Sequence, residues 1–378
     1  MRVNRFGRGL HIIAVALLLA VLLGGCRAAA PMQVDGACQP MPAAGMDFGK
    51  FTQTPKPRMG GLPYPGAFTL FELGDPNRLG HHAYDSQSGE AESIRGILYT
   101  CRGGFIDIAH ARKSVDLCKH VAVRAEFALM NDWTAFQVKA LEPSVHVIRL
   151  EYPPFWKSLS PEEKKSLAHE LSIRIGQRVA MAMVTWHETL TWFGYQSTPI
   201  ASEKQSAFTW DDTGAHAFGV MLVAERALRD PRDWDDAVTD AITAGLNELG
   251  VVTPDECSYA IDRIKGVWWS GFEPLKRDIE IGWNGDPVVP WLVPDLPFCK
   301  DATPHRYLLP RLDDVMGRNF SGLLHMEIEP KVLNTGSIRD VVPGRPEVID
   351  VDKDLPIILD YIRQQVTAQG GPQALRPS

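Results

Sequence analysis

The hydrophobic and polar positions of the chain follow a helical period in the middle of the sequence and a strand period on both sides of it. Residues 94–100 have the pattern of a strand, and the residues from Phe105 onward have that of a helix. Ser144–Glu151 and Leu324–Pro330 alternate between apolar and polar side chains, which indicates two further strands. The pattern predicts an α+β fold with a mainly helical middle and short strands before and after it.

Local signals place the starts of the helices. Ser160-Pro-Glu-Glu163 and Thr253-Pro-Asp-Glu256 are capping boxes with proline at the first helical position. Thr209 is the expected N-cap of another helix, whose first turn holds Asp211 and Asp212. After the first capping box, apolar residues recur from Leu167 through Phe193, which predicts one long helix or two stacked ones, with Gly176 as the weakest position. The other predicted helices are Asp235–Leu249, Pro254–Lys265 and Asp354–Val366, and short strands are expected at Lys276–Trp283 and Pro290–Pro294.

The first 26 residues have the layout of a bacterial lipoprotein signal. Arginines precede an apolar run from Ile12 to Leu23, which is followed by Leu23-Gly-Gly-Cys26. Residues 1–25 are therefore expected to be removed, which leaves a lipidated Cys26 as the membrane anchor. Residue 27 is arginine and not the aspartate that retains such proteins at the inner membrane, so the predicted location is the periplasmic face of the outer membrane.

Composition divides the remainder into three parts. Residues 26–65 are rich in alanine, proline and glycine and form a tether with an irregular start of the fold, residues 66–335 form the main globular domain, and residues 336–378 form a C-terminal extension with a helix. Removal of residues 1–25 takes away three arginines and no acid, which changes the net charge from −7 to −10. An acidic chain lacks the basic surface that nucleic acid requires. The expected partners are the membrane, through Cys26, and cell-wall or other envelope components.

Two stretches hold the candidate chemistry. In the first, Tyr99–Asp116, Gly103 and Gly104 permit a sharp turn, with Cys101 just before it and Asp107 and His110 on one face of the following helix. In the second, Val184–Tyr195, His187 and Glu188 lie in an apolar and aromatic segment, where burial would raise the pKa of a glutamate. A structural His–Glu pair is the alternative for this second stretch.

Asp211 and Asp212 have a simpler explanation, because the helix dipole favours acids in a first turn. His216 lies four residues after Asp212 and could complete a metal pair, although a surface ion pair would also account for this spacing.

The motifs Tyr99–His110, Trp186–Glu188 with Thr191–Tyr195, and Pro290–Pro294 resemble those of an uncharacterised family of bacterial envelope lipoproteins, classified as a domain of unknown function. The resemblance covers about residues 65–330. It implies an envelope location and a shared site, and it names no reaction.

Three functions are compatible with these residues. In the first, His110 and His187 bind a divalent metal such as Zn²⁺ together with Asp107, Asp116 or Glu188, and Glu188 activates a water molecule for hydrolysis of an envelope substrate.

In the second, Cys101 is the nucleophile of a papain-like amidase that acts on cell-wall peptides, with His110 or His187 as its base. Pairing of Cys101 with Cys118, or of Cys257 with Cys299, is also compatible with an oxidising compartment. In the third, the protein is a non-catalytic envelope lipoprotein in which the same residues form a polar core or a binding groove.

Overall fold

Two long helices form the largest helix–helix contact of the fold. The computed structural model describes residues 47–56, 58, 73–84, 96–139, 142, 144–196, 204–271, 273–300, 302–331 and 335–377. Helices α1 (Ile108–Met130) and α2 (Pro161–Trp192) pack along each other at Gly176, where a Cβ atom would lie 2.7 Å from the carbonyl oxygen of Cys118. Gly176 therefore permits a close approach of the two helices rather than weakening α2.

The remaining helices and the strands follow these two in a mixed order. Helix α3 (Trp210–Ala217) continues into a π-helical segment, Phe218–Val223. The other elements are helices α4 (Ala224–Arg229), α5 (Trp234–Glu248), α6 (Pro254–Ile264), α7 (Thr335–Val341) and α8 (Asp354–Gly370), and strands β1 (Ile97–Thr100), β2 (Gly104–Asp107), β3 (Ala135–Lys139), β4 (Ser144–Leu150), β5 (Leu324–Pro330) and β6 (Ile349–Asp350). Within the described ranges, no helix has the length and hydrophobicity that crossing a membrane requires.

The strands form two small sheets. Strands β1 and β2 pair as an antiparallel hairpin, in which Ile97 faces Asp107 and Thr100 faces Gly104. The second sheet has the order β3-β4-β5-β6, and every neighbouring pair in it is antiparallel. The predicted strands in Ser144–Glu151 and Leu324–Pro330 are confirmed.

The hairpin corrects the expected turn from strand to helix. The chain turns at Cys101–Gly103, and Gly104 has a φ of +67° at the start of β2, so Phe105 belongs to a strand and not to a helix. Helix α1 begins only at Ile108. Cys101 is therefore not next to a helix N-terminus, where backbone N–H groups would stabilise a thiolate.

Capping explains where two of the helices begin. Ser160 and Glu163 form a reciprocal capping box at α2, and Thr253 and Glu256 form another at α6. The strands expected at Lys276–Trp283 and Pro290–Pro294 are wrong, because these segments run as extended connections without a ladder. In Lys276–Trp283, the backbone N–H groups of Arg277 and Asp278 donate to Ala374 and Phe208 instead of to a neighbouring strand. The prolines of Pro290–Pro294 have no N–H group to donate to a ladder.

A large apolar core joins the helices to the four-stranded sheet, and a smaller cluster surrounds the hairpin with Trp210, Trp268 and Trp291. The C-terminal residues share the large core, because Ile358 and Ile362 of α8 are buried in it and β6 extends the sheet beside β5. The fold is therefore α+β with a helical middle and strands before and after it, as the sequence pattern predicts.

Candidate functional site

A group of buried polar side chains lies where the ends of three helices meet. Asp107 and His110 come from the start of α1, His187 and Glu188 from the last turns of α2, and Asp211 and Asp212 from the first turn of α3. Apart from the two histidines, these side chains are buried. We refer to these six residues as the helix-end cluster.

Two glycines bring α3 into this position. A Cβ atom at Gly214 would lie 2.6 Å from the carbonyl oxygen of Phe105 in β2, and one at Gly219 would lie 2.5 Å from that of Ala111 in α1. Only glycine permits these backbone contacts. The first turn of α3 is consequently held against the junction of β2 and α1.

Asp107 has two functions at this junction. As the N-cap of α1, its Oδ1 accepts hydrogen bonds from the backbone N–H groups of Ala109 at 2.8 Å and His110 at 3.3 Å. Its Oδ2 lies 3.5 Å from Nδ1 of His110. The cap therefore fixes the carboxylate in the orientation that brings its second oxygen to the imidazole.

His110 also contacts an acid that is distant in sequence. Its Nδ1 lies 2.7 Å from Oδ1 of Asp212, yet the two atoms are not aligned for an N–H···O hydrogen bond. Asp107, His110 and Asp212 each offer one ligand atom, and these atoms all lie within 4.8 Å of one another. One nitrogen and two carboxylate oxygens in this arrangement form a suitable partial ligand set for a divalent metal.

Burial and mutual charge dominate the electrostatic environment of Asp107, His110 and Asp212, which we call the triad. Burial lowers the pKa of His110, but the charges of Asp212 and Asp107 outweigh it and raise this pKa well above its ordinary value. Burial, together with Asp212 and Asp107, raises the pKa of Asp211 well above its ordinary range. So many buried acids held close together call for positive charge among them.

Glu188 lies beside these acids, where it both supports the local structure and is suited to proton transfer. Burial and the charge of Asp212 raise its pKa. Its Oε2 accepts a hydrogen bond from the backbone N–H of Phe208 at 3.0 Å, and Phe208 has a φ of +57°. Glu188 thus holds the strained turn that leads into α3, while a carboxyl with a raised pKa is suited to general acid–base catalysis.

His187 contacts a different acid from those that His110 contacts. Its Nδ1 lies 3.4 Å from Oε2 of Glu142, which is buried just before β4. Burial opposes ionisation of Glu142, but its contact with His187 and the charge of Lys113 lower its pKa to about 2. His187 therefore lies next to the triad, but its ring nitrogens do not belong to the group of ligand atoms that lie within 4.8 Å of one another.

The cluster reaches the surface at its two histidines. The side chains of His110 and His187 are 18% and 16% exposed, whereas those of Asp107 and Asp212 are 1% and 6% exposed. The charges of both histidines act on Glu188. A small molecule that contacts either imidazole edge would thus be next to the carboxylates.

Asp116, the fourth predicted metal ligand, lies in a separate ion pair. Its carboxylate is 2.6 Å from Nη1 of Arg58 and 2.9 Å from Nε2 of His82, and it accepts a hydrogen bond from Nε1 of Trp234 at 2.9 Å. Six positions after His110, it projects from another face of α1. The structure therefore removes Asp116 from the candidate site.

Cys101, the predicted nucleophile, forms a disulfide with Cys299. A disulfide sulfur has no thiolate, so the disulfide-bonded Cys101 is not the nucleophile that the papain-like alternative requires. Cys118 and Cys257 are free and buried, which makes both expected pairings wrong.

Asp212 is the member of the triad that sequence reasoning missed. The dipole of α3 explained it as a first-turn acid, and a surface position was expected for its pairing with His216. Both side chains are in fact buried, and the rings of His216 and His110 meet edge to face with centroids 5.6 Å apart. The available signal was the run Ala207–Phe218, in which small and apolar residues precede and follow the polar positions 211–213 and His216.

A second group of possible ligands has a different character. His325, Asp350 and Asp352 also bring one ligand atom each within 4.8 Å, but they are partly or fully exposed. Asp350 already pairs with Lys353 at 2.8 Å and accepts hydrogen bonds from two backbone N–H groups of the turn before α8. Its surroundings account for it as a turn residue.

Comparison with known proteins identifies the family of the chain without naming a reaction. No curated protein matches the chain, and no solved structure matches it. The model of one protein family, described as "Protein of unknown function (DUF4056)", matches residues 41–281, which include every member of the helix-end cluster. The match covers more than half of the chain, which therefore belongs to the DUF4056 family.

Proposed function

We propose that this protein is a lipid-anchored envelope protein that uses a divalent metal, held by Asp107, His110 and Asp212, to hydrolyse an envelope substrate. The observation that carries this proposal is the convergence of the three ligand atoms within 4.8 Å around an imidazole nitrogen that has no aligned hydrogen bond. In a structural ion pair, the N–H of a buried imidazole would point at its acceptor. A cation between the three side chains accounts for the observed arrangement.

The donor set also limits the choice of metal. Nitrogen with carboxylate oxygen suits Zn²⁺ and Mn²⁺, while the absence of a thiolate from the triad gives no preference for soft metals. Three protein ligands leave a position open for water, and a bound divalent metal lowers the pKa of such a water toward neutrality.

Glu188 is the acid or base that this reaction needs. It is buried next to Asp212, its pKa is raised, and one of its oxygens is held by the backbone of Phe208. A carboxyl with a pKa nearer to neutrality exchanges a proton with water and leaving group more effectively than an ordinary glutamate. His187 lies at the surface opening of the cluster, in a position to contact the substrate.

Zinc binding to purified variants tests the metal site. We expect Asp212→Asn and His110→Ala to lose bound zinc by at least about tenfold in affinity, because each removes one of only three ligands. His169→Ala is the matched control, since this histidine of α2 is 53% exposed and pairs with Glu126 outside the triad. Full zinc occupancy in Asp212→Asn would exclude this ligand set, and a protein without zinc or manganese affinity would favour the non-catalytic alternative.

The envelope location has its own test. The signal layout and Cys26 support a lipid anchor at the periplasmic face of the outer membrane. We expect the wild type to incorporate radioactive palmitate and to fractionate with outer membranes, and Cys26→Ser to do neither. Membrane fractionation of Cys26→Ser that matches the wild type would contradict a lipid anchor.

A further inference from the structure

Unpaired polar groups continue beyond the triad to the side chains around His187. Four side chains make up this group, and we call them the Lys113 compartment: Lys113 of α1, Glu142, His146 of β4 and His187 of α2. Lys113, Glu142 and His146 are 6%, 2% and 0% exposed. Lys113 lies one helical turn after His110, on the same face of α1, so the compartment adjoins the triad.

The polar atoms of this compartment have unused hydrogen-bonding capacity. Among the described residues, Oε1 of Glu142 and both ring nitrogens of His146 have no hydrogen-bond partner. Among the same residues, the Lys113 ammonium makes no hydrogen bond and no close ion pair, although its charge acts on Glu142. Buried polar atoms such as those of Glu142 and His146 are nearly always satisfied in folded proteins.

The unused groups define the chemistry of a ligand. Lys113 offers three N–H donors and a positive charge, whereas Oε1 of Glu142 offers an acceptor with a negative charge. A ligand that satisfies both must carry an acceptor anion and a donor cation close together. An α-amino acid group, with its carboxylate and ammonium on one carbon, has this combination.

We propose that the Lys113 compartment binds the α-amino acid group of a substrate or product, with its carboxylate at Lys113 and its ammonium at Glu142. This inference rests on the proposed function, because it makes the hydrolysed substrate peptide-like and places its amino acid end next to the triad. His187 lies between the two parts of the site, 3.4 Å from Glu142 and beside Glu188.

Calorimetric binding of alanine to the purified protein in EDTA tests the compartment. The chelator prevents alanine from binding through a metal, so this measurement does not depend on the triad. We expect alanine to bind to the wild type. Acetate and methylamine should bind at least about tenfold more weakly, because each satisfies only one charge. Lys113→Met should lose at least about tenfold in alanine affinity. Lys119→Met is the control, because Lys119 of α1 lies instead over the rings of Phe51 and Trp234.

Several results would overturn this inference. The inference is wrong if alanine does not bind to the wild type, or if Lys113→Met binds alanine as tightly as the wild type does. Acetate binding as tight as alanine binding would also overturn it. Failure of Lys113→Met to fold would reveal a structural partner for this ammonium and would also count against the inference. Glu142→Gln is a second variant, in which alanine affinity should fall. Zinc affinity of Lys113→Met should equal that of wild type, so failure of the metal site and failure of the compartment are distinguishable.

Discussion

Single side chains in the helix-end cluster illustrate how position changes the chemistry of one residue type. Asp107 caps a helix and accepts hydrogen bonds from backbone N–H groups, Asp212 contacts an imidazole, and burial with the charges of Asp212 and Asp107 raises the pKa of Asp211. Burial opposes ionisation of Asp116, in the same helix as His110, but the charges of His82 and Arg58 lower the pKa of this carboxyl. Burial and the nearest charge therefore decide which acids can bind a metal.

Asp278 gives a test of burial at the residue level. Burial raises the pKa of this carboxyl to about 8, against 3.8 for an ordinary aspartate. The folded protein therefore binds one proton more than the unfolded chain between these values, so the contribution of Asp278 to stability is complete below pH about 4 and is lost as pH rises toward 8. An asparagine side chain at this position could still accept the hydrogen bond from the N–H of Glu280 but cannot ionise.

We expect Asp278→Asn to raise the free energy of unfolding by about 2 kcal/mol or more at pH 8 and to have a smaller effect at pH 5. Urea denaturation of wild type and variant across this range measures the difference. An equal effect of the substitution at both pH values would show that Asp278 is ionised in the folded protein.

Among the helices and strands, glycines position the site more than any catalytic side chain does. Gly214 and Gly219 allow α3 and its π-helical continuation to contact the backbone of β2 and α1. Without this approach, the Asp212 carboxylate would be farther from His110. The geometry of the triad is thus encoded in residues that have no side chain.

We expect Gly214→Ala to lower zinc affinity by at least about tenfold and to destabilise the fold by about 1–3 kcal/mol, because the added Cβ would meet the backbone oxygen of Phe105. Zinc titration and denaturation of the same sample report the two effects. Gly336→Ala is the matched control, since its Cβ would meet no atom within 4 Å. Unchanged zinc affinity in Gly214→Ala would show that the triad does not depend on this contact.

Sequence patterns predicted the elements better than they predicted the site. Capping boxes and apolar periods are local, so they placed the starts of α2 and α6 and the strands β4 and β5. The hairpin at Gly104 was missed because a glycine pair fits a strand-to-helix turn equally well. Asp107 and His110 were found because they are neighbours on one helix, while Asp212 lies about a hundred residues away and meets them only through tertiary packing.

Across the whole molecule, the disulfide joins the hairpin to the proline-rich segment that precedes β5. Cys101 and Cys299 are separated by 198 positions, and neither is a member of the helix-end cluster. A link across so long a segment restricts the unfolded chain strongly. The disulfide is therefore expected to serve stability and not chemistry.

We expect simultaneous Cys101→Ser and Cys299→Ser substitutions to lower the free energy of unfolding by about 4–5 kcal/mol, without changing zinc affinity. Wild type treated with a reductant should show the same loss of stability. Loss of hydrolysis in a folded double variant that still binds zinc would instead support Cys101 as a nucleophile.

We propose that Asp107, His110 and Asp212 hold a divalent metal. Anomalous X-ray diffraction at the zinc absorption edge, from crystals of the protein grown with zinc, tests it most directly. We expect a strong anomalous peak between these three side chains, at about 2.0–2.2 Å from each ligand atom. A map without a peak there, together with an aligned N–H···O hydrogen bond from His110 to Asp212, would contradict it.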